Sequence, residues 1–491
     1  MTLKQPNEND LKKLFEYFQN KNYGEAEKLA LSITKEFPSN QFSWKLLFEI
    51  YRNQERMSES LSVIKKLVFL EPEDYRYHFY LGNNLRKLNR NKESQISYKK
   101  SIEIKSDFAS GYLNLGITLE NDSKLIEAEK NYKKARDLNP NFFESYYNLG
   151  NIYLKIGDMN EAEKNYRKAV ELNPDFATSY LKLGNILQEV GKNKEAEILY
   201  RQAIALDANM PDAHVNLGWM LRGMGKISVA HKYIKDGISL NPNIAMYFFR
   251  KGIIDYDLGD IKSSYESLKI ASSIDPNLKI IKVVKKILEK EVSSNNIKTN
   301  TKNLKEMNLK EKFYFKPFHS NRPVEKDLID YLYGLKSREL DSNKPVDDAR
   351  YGNGLCLEDF ELFDHESSII KNLKNDLMEI MRTATKSDII VYASFFNILR
   401  GVSGSKPHRH ISKFDKDKSL NLKKRKYSLV YYLSVGDQSS ENPGILRLYD
   451  PDQETLPSNG EIIIIPSERK HSSIYSGNQD RVMIGVNFYI I

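Results

Sequence analysis

Residues 142–175 read FFESYYNLGNIYLKIGDMNEAEKNYRKAVELNPD, and the same pattern recurs along the first half of the chain. Units aligned to it begin at 6, 40, 74, 108, 142, 176, 210 and 244, a period of 34 residues with no insertion between units. Gly82, Gly116, Gly150, Gly184, Gly218 and Gly252 fall at one register position. Ala26, Ala128, Ala162, Ala196 and Ala230 fall at another, with Ser60, Ser94 and Ser264 completing that column. Pro38, Pro72, Pro140, Pro174, Pro242 and Pro276 close most units. Small residues at two fixed positions let two helices approach closely, and proline cannot continue the second one. Each unit is therefore expected to be a pair of helices stacked on its neighbours.

Period and signature together resemble the tetratricopeptide repeat. That resemblance implies an all-α superhelix, a solenoid of helix pairs with a concave groove that holds a protein or peptide. The array is expected over residues 1–292, with the first two units as modified caps and the stretch from Leu278, LKIIKVVKKILEKEV, as a closing helix. The Asn-Leu-Gly motif places Asn114, Asn148 and Asn216 at one register position. It resembles the peptide-binding arrays of O-linked glycosyltransferases, in which an asparagine ladder could bond a peptide backbone, since an amide both donates and accepts. Lys182 interrupts that ladder, and asparagine is also simply common at this position of the repeat.

Residues 293–312 are polar and rich in Asn, Lys and Thr, which suits a linker. From 313 to 491 two helical stretches precede about seven strand-like ones. That order suits an α+β domain built on a jelly roll, with the helices packed outside.

Three of the eight histidines lie in this second half near the C-terminus. His408 and His410 form a His-x-His and share one side of an extended segment. His471 follows four consecutive isoleucines, a pattern expected for a fully buried strand, and is placed at that strand's exit. Farther on, Arg481, Met483, Gly485 and Asn487 share one strand face, while Val482, Ile484, Val486 and Phe488 share the other. Such a strand suits the wall of a polar pocket, with Gly485 leaving room for a ligand against the backbone. Imidazoles ligate iron, copper, zinc or nickel, and Arg481 offers a planar fork to a carboxylate.

These residues, with Tyr431-Tyr432-Leu433 and Gly444-Ile445-Leu446-Arg447, resemble the prolyl-hydroxylase-like branch of the 2-oxoglutarate and Fe(II)-dependent dioxygenases. The resemblance covers residues 389–491 and implies a double-stranded β-helix. It further implies Fe(II) on His408 and His471, 2-oxoglutarate held by Arg481 with Tyr432, and ascorbate as an accessory. In that chemistry 2-oxoglutarate and dioxygen are consumed together: one oxygen atom ends in succinate as carbon dioxide leaves, and the other in the oxidised substrate C–H bond. His410 stands where the family has a carboxylate. Either it is a third ligand, or it points away and water or a carboxylate such as Asp415 fills the place.

Other signals point elsewhere or nowhere. Gly352 and Gly354 lack the third glycine of a dinucleotide loop, and Asp415 and Asp417 lack the remainder of a calcium loop. The basic run Lys423–Lys426 suits a loop guarding a sheet edge. Net charge is +9 over 491 residues, spread along helical faces, so nucleic acid is not indicated. A single cysteine, Cys356, leaves no internal disulfide. With no apolar leader and no membrane-length apolar run, a cytoplasmic setting is expected. The two halves together suggest an oxygenase, a hydroxylase, whose repeat groove recruits a protein or peptide. The competing expectation is a non-catalytic scaffold with a degenerate oxygenase-like or cupin-like domain.

Overall fold

The computed structural model describes residues 6–293, 317–340, 350–357, 359–412, 414–415, 417 and 421–491. Beyond Ser293, the expected linker lies outside them. Packing divides the chain into two units, Met1–Met224 and Gly225–Ile491, so the last helices of the repeat array belong to the same unit as the C-terminal half.

Helices α1 (Glu8–Gln19) to α17 (Lys279–Ser293) follow one another with only short turns between them. The helix expected from Leu278 is α17. The glycine column works by touching a tyrosine column. A Cβ added at Gly82, Gly116, Gly150 or Gly184 would lie 2.5–2.8 Å from the ring of Tyr98, Tyr132, Tyr166 or Tyr200 on the paired helix. Those rings are fully buried, and their hydroxyls are satisfied in turn. Tyr98, Tyr166 and Tyr200 donate to Asn83, Asn151 and Asn185, and Tyr132 donates to Glu120. The alanines at 128, 162 and 196 are likewise 0% exposed, as close helix packing requires.

The turn between paired helices has its own register. Lys21, Glu55, Asn89, Ser123, Gly157, Gly191, Gly225 and Gly259 all adopt positive φ, between +55° and +85°. Only the last four are the residue type that takes this conformation without strain.

The C-terminal half has ten strands among the described residues. They are β1 (Phe318–Asn321), β2 (Ser337–Glu339), β3 (Arg350–Leu357), β4 (Ile389–His408) and β5 (Lys426–Ser434), then β6 (Leu446–Leu448), β7 (Gln453–Thr455), β8 (Glu461–Pro466), β9 (His471–Tyr475) and β10 (Arg481–Ile490). They join in the order β1-β8-β5-β10-β4-β9-β6-β7, with β3 and then β2 leading off β4. The paired strands run antiparallel. The result is a curled antiparallel sheet, a half-barrel. Its pivot is β4, which pairs with β10 along Ile389–Leu399 and with β9 along Ser403–His408.

One face of the sheet packs on α18 (Lys326–Tyr333) and α19 (Ser368–Thr385). Leu328, Leu332, Ile370, Leu373 and Leu377 meet Phe396, Ile398, Leu429, Ile484, Val486 and Phe488 there. The isoleucine run is buried on both sides, as expected of it. Ile462 and Ile464 join that helix-facing core, and Ile463 and Ile465 join a second one with Tyr432, Leu446, Tyr475 and Met483. The first C-terminal helix, α18, is short. It stops before Gly334, and Ser337–Glu339 extends to pair with Leu355–Leu357 instead.

Candidate metal centre and carboxylate pocket

The half-barrel encloses a cavity of about 490 Å³ on the face away from the helices. Met483, Gly485 and Asn487 of the polar strand face read from the sequence line it, whereas Arg481, the fourth residue of that face, is not among its lining residues. Gly485 has a different role from the one expected. Its missing Cβ makes room for Phe395, whose ring would be 2.4 Å away, so a neighbouring side chain takes the space.

His408 closes β4 and His471 opens β9, and the two are cross-strand partners. His471 thus begins a strand rather than leaving one. The pairing brings their ring centroids to 4.4 Å, and His410 stands 4.8 and 4.9 Å from them. His410 is held by its backbone N–H, which donates to the Ser467 carbonyl. All three present a ligand nitrogen within 4.8 Å of one another, and no other group of this kind occurs among the described residues. Backbone carbonyls orient two of the rings. The Nδ1 of His408 faces the Lys406 carbonyl at 2.8 Å, and that of His471 faces the Arg469 carbonyl at 3.1 Å. A ring that donates from Nδ1 carries its lone pair on Nε2, the arrangement a metal ligand needs. Burial, with His408 alongside, pushes His471 down to about 4, so that ring is neutral at physiological pH.

Asp415 is not part of that histidine group. It is fully buried, accepts from Lys426 at 2.8 Å and from the Tyr489 hydroxyl at 2.6 Å, and is held ionised by that lysine against the cost of burial. Lys426 accordingly opens β5 and is buried rather than lying in an edge loop; Lys423 pairs with Glu468.

Arg481 is 1% exposed. Its Nη1 donates to the Pro443 carbonyl at 3.0 Å, whereas Nε and Nη2 have no hydrogen-bond partner. The guanidinium lies 5.0 Å from the Tyr432 ring and 5.8 Å from that of Tyr475. Gly444, at φ +85°, passes so close to Nη1 that any Cβ there would collide with it. Tyr432 is the guanidinium's other polar neighbour, and a buried cation so thinly partnered is costly unless a ligand completes it. A planar carboxylate is the group whose shape matches that fork.

Several lining residues escaped the sequence reading: Arg338, Phe360, Asn397 and Ser428. Ser428 was within reach of it, since it alternates with Val430 and Tyr432 along β5, and its hydroxyl donates to Asn487 at 2.7 Å. In the repeats, Asn114, Asn148 and Asn216 are all half-buried. The Asn114 amide donates to Ser110 in its own helix and that of Asn216 to Asn185.

Comparison with known proteins bears on the repeats. Tetratricopeptide-repeat family models match residues 75–108, 143–176 and 165–198, and a TPR-repeat model matches 123–157. No curated protein sequence matches the chain. Among solved structures, YrrB, described as a TPR protein with an unusual peptide-binding site, is 24% identical over 38% of this chain and 97% of its own, with a TM-score of 0.34. The MamA protein is 25% identical over 34% of this chain and 92% of its own, with a TM-score of 0.32. PilF of Pseudomonas aeruginosa is 15% identical over 46% and 98%, with a TM-score of 0.40. Residues 75–198 thus carry tetratricopeptide repeats. No helix among the described residues is long and apolar enough to cross a membrane.

Proposed function

We propose that this chain is a protein-interaction scaffold whose repeats hold a peptide or protein partner. The observation that carries this reading is the run of tetratricopeptide matches between residues 75 and 198. Stacked repeats bury one face of each helix pair and leave an extended surface for a ligand. Selection of a displayed peptide library on the intact chain tests it. Enriched sequences should bind the wild type and lose affinity when Asn114, Asn148 and Asn216 are all changed to Ala. Failure to enrich any sequence would overturn the reading.

A second reading is favoured by the histidine cluster and the buried fork together. In it, the half-barrel is a double-stranded β-helix and the domain over 313–491 is a 2-oxoglutarate and Fe(II)-dependent oxygenase acting on the recruited partner. His408, His410 and His471 would hold the metal, and Arg481, stacked on Tyr432, would hold the far carboxylate of 2-oxoglutarate. A bound Fe(II) would supply the oxidising chemistry, and the protein the ligands, their orientation and the cavity. The donor set fits a divalent transition metal, because three imidazoles converge and carbonyls orient two of them. A neutral three-histidine face binds Fe(II) less tightly than a face with a carboxylate, and zinc or copper competes well. Succinate formation by the Fe(II)-loaded chain separates this reading from a non-catalytic scaffold. Metal binding without turnover in the presence of the selected peptide would leave the scaffold alone.

A further inference from the structure

A second cavity, of about 380 Å³, adjoins the first, and Arg409 lines both. The Nε of Arg409 donates to the Glu468 carbonyl at 2.8 Å, which fixes it at the seam between the cavities. Around the second cavity stand Lys423, Lys424, Arg469 and Lys470 as well. The carboxylates there among the described residues are Asp450 and Glu468. Glu468 is committed to Lys423 at 2.8 Å, and Asp450 is 83% exposed and 3.8 Å from Arg409. Arg469 is only 5% exposed and donates through Nη2 to the Pro451 carbonyl at 2.6 Å. In the first cavity, Arg338 and Arg409 line the wall, and among the described residues no aspartate or glutamate does. Two adjoining cavities with a surplus of cations raise the local concentration of anionic ligands and reject cationic ones.

We infer that the substrate of the histidine-lined cavity is an acidic peptide segment, with an Asp or Glu side chain docked among Arg409, Lys424, Arg469 and Lys470. This rests on reading the cavity as the reactive site. An extended peptide places every second side chain on one side, about 7 Å apart. One side chain can therefore enter the histidine-lined cavity while its neighbour on that side reaches the basic one. A single small anion would fill only one of the two.

The test uses the full chain and fluorescence anisotropy, with a labelled alternating Gly-Glu peptide of about ten residues. Its Gly-Gln counterpart and an oligothymidylate of matched charge are the controls. The Gly-Glu peptide should bind at least about tenfold more tightly than the Gly-Gln one, a preference that falls as salt rises. The double variant Lys424→Glu, Lys470→Gln should lose that preference while its Co(II) titration still shows the histidine cluster formed. Equal binding of the two peptides, or an unchanged preference in the variant, would overturn the proposal. So would oligothymidylate binding as tightly as the Gly-Glu peptide, since that marks a general polyanion surface. If the wild type prefers the acidic peptide yet binds no Co(II), the docking site stands and the metal reading falls.

Discussion

His408 and His471 are direct cross-strand partners on β4 and β9, with ring centroids 4.4 Å apart. The pairing of two backbones therefore sets the geometry of these two rings, and His410 joins them from the segment that follows β4. Sites built on strands hold their ligands more precisely than sites on loops.

His410 lies just beyond β4, and its place in the centre can be decided by substitution. His408→Ala and His471→Ala should each abolish a Co(II) titration followed by visible absorption. His410→Ala should weaken it, and His410→Asp should retain or tighten Fe(II), because a carboxylate adds the negative charge that three imidazoles lack. If His410→Ala binds metal as tightly as the wild type, the three-histidine face is dismissed.

The second prediction concerns Arg481, whose Nε and Nη2 are buried without partners. A 2-oxoglutarate carboxylate filling that fork forms a desolvated charge pair, and Arg481→Ala should weaken binding by about 2–5 kcal/mol. Arg481→Lys should restore only part of it, since an ammonium cannot bond in a bidentate fork. Isothermal titration of metal-loaded protein with 2-oxoglutarate reads the difference. Wild-type affinity in Arg481→Ala would end the assignment.

Much of this was legible in the sequence, for physical reasons. The 34-residue register is visible because every unit must solve the same packing problem, as the glycine and tyrosine columns show. The face of β10 was legible because strand side chains alternate strictly. Gly485 was misread because a missing Cβ marks a close approach without saying what approaches; the answer, Phe395, lies on another strand. Asp415 looked available beside the His-x-His, but its partners Lys426 and Tyr489 are supplied by β5 and β10. Cross-strand partnership leaves no local trace, which is also why Arg338 and Asn397 went unseen.

The third prediction is a pH dependence. His471 titrates near 4 in the folded protein against an ordinary value of 6.5, because burial disfavours its charged form. Between those values the unfolded chain takes up the proton first, so protonation favours unfolding. The stabilisation is fully present above pH 6.5, is lost as pH falls toward 4, and amounts to about 3 kcal/mol by then. Urea midpoints of metal-free protein, followed by near-UV circular dichroism, should fall across this window more steeply than those of His471→Gln. Parallel slopes for the two proteins would refute the assignment.

The last prediction concerns the turn column of the repeats. Ser123 is exposed and sits at φ +60°, in the region where a β-carbon crowds the following carbonyl. One repeat later the same position is Gly157, at φ +85° with nothing within 4 Å of where its Cβ would be. The two sites share a backbone conformation and differ in the residue that adopts it. Ser123→Gly relieves about 1–2 kcal/mol of left-handed strain and gives back about 0.4–1 kcal/mol through the freer unfolded chain, a net gain of about 0.5–1 kcal/mol. Gly157→Ser should cost about the same, with no steric clash to confuse the result. Gly116→Ala is the contrast, since its Cβ would meet the buried Tyr132 ring at 2.5 Å and the loss should be larger. Urea midpoints of the helical circular dichroism signal rank the three. A Ser123→Gly chain less stable than the wild type would show that the serine has a role in that turn beyond adopting its backbone conformation.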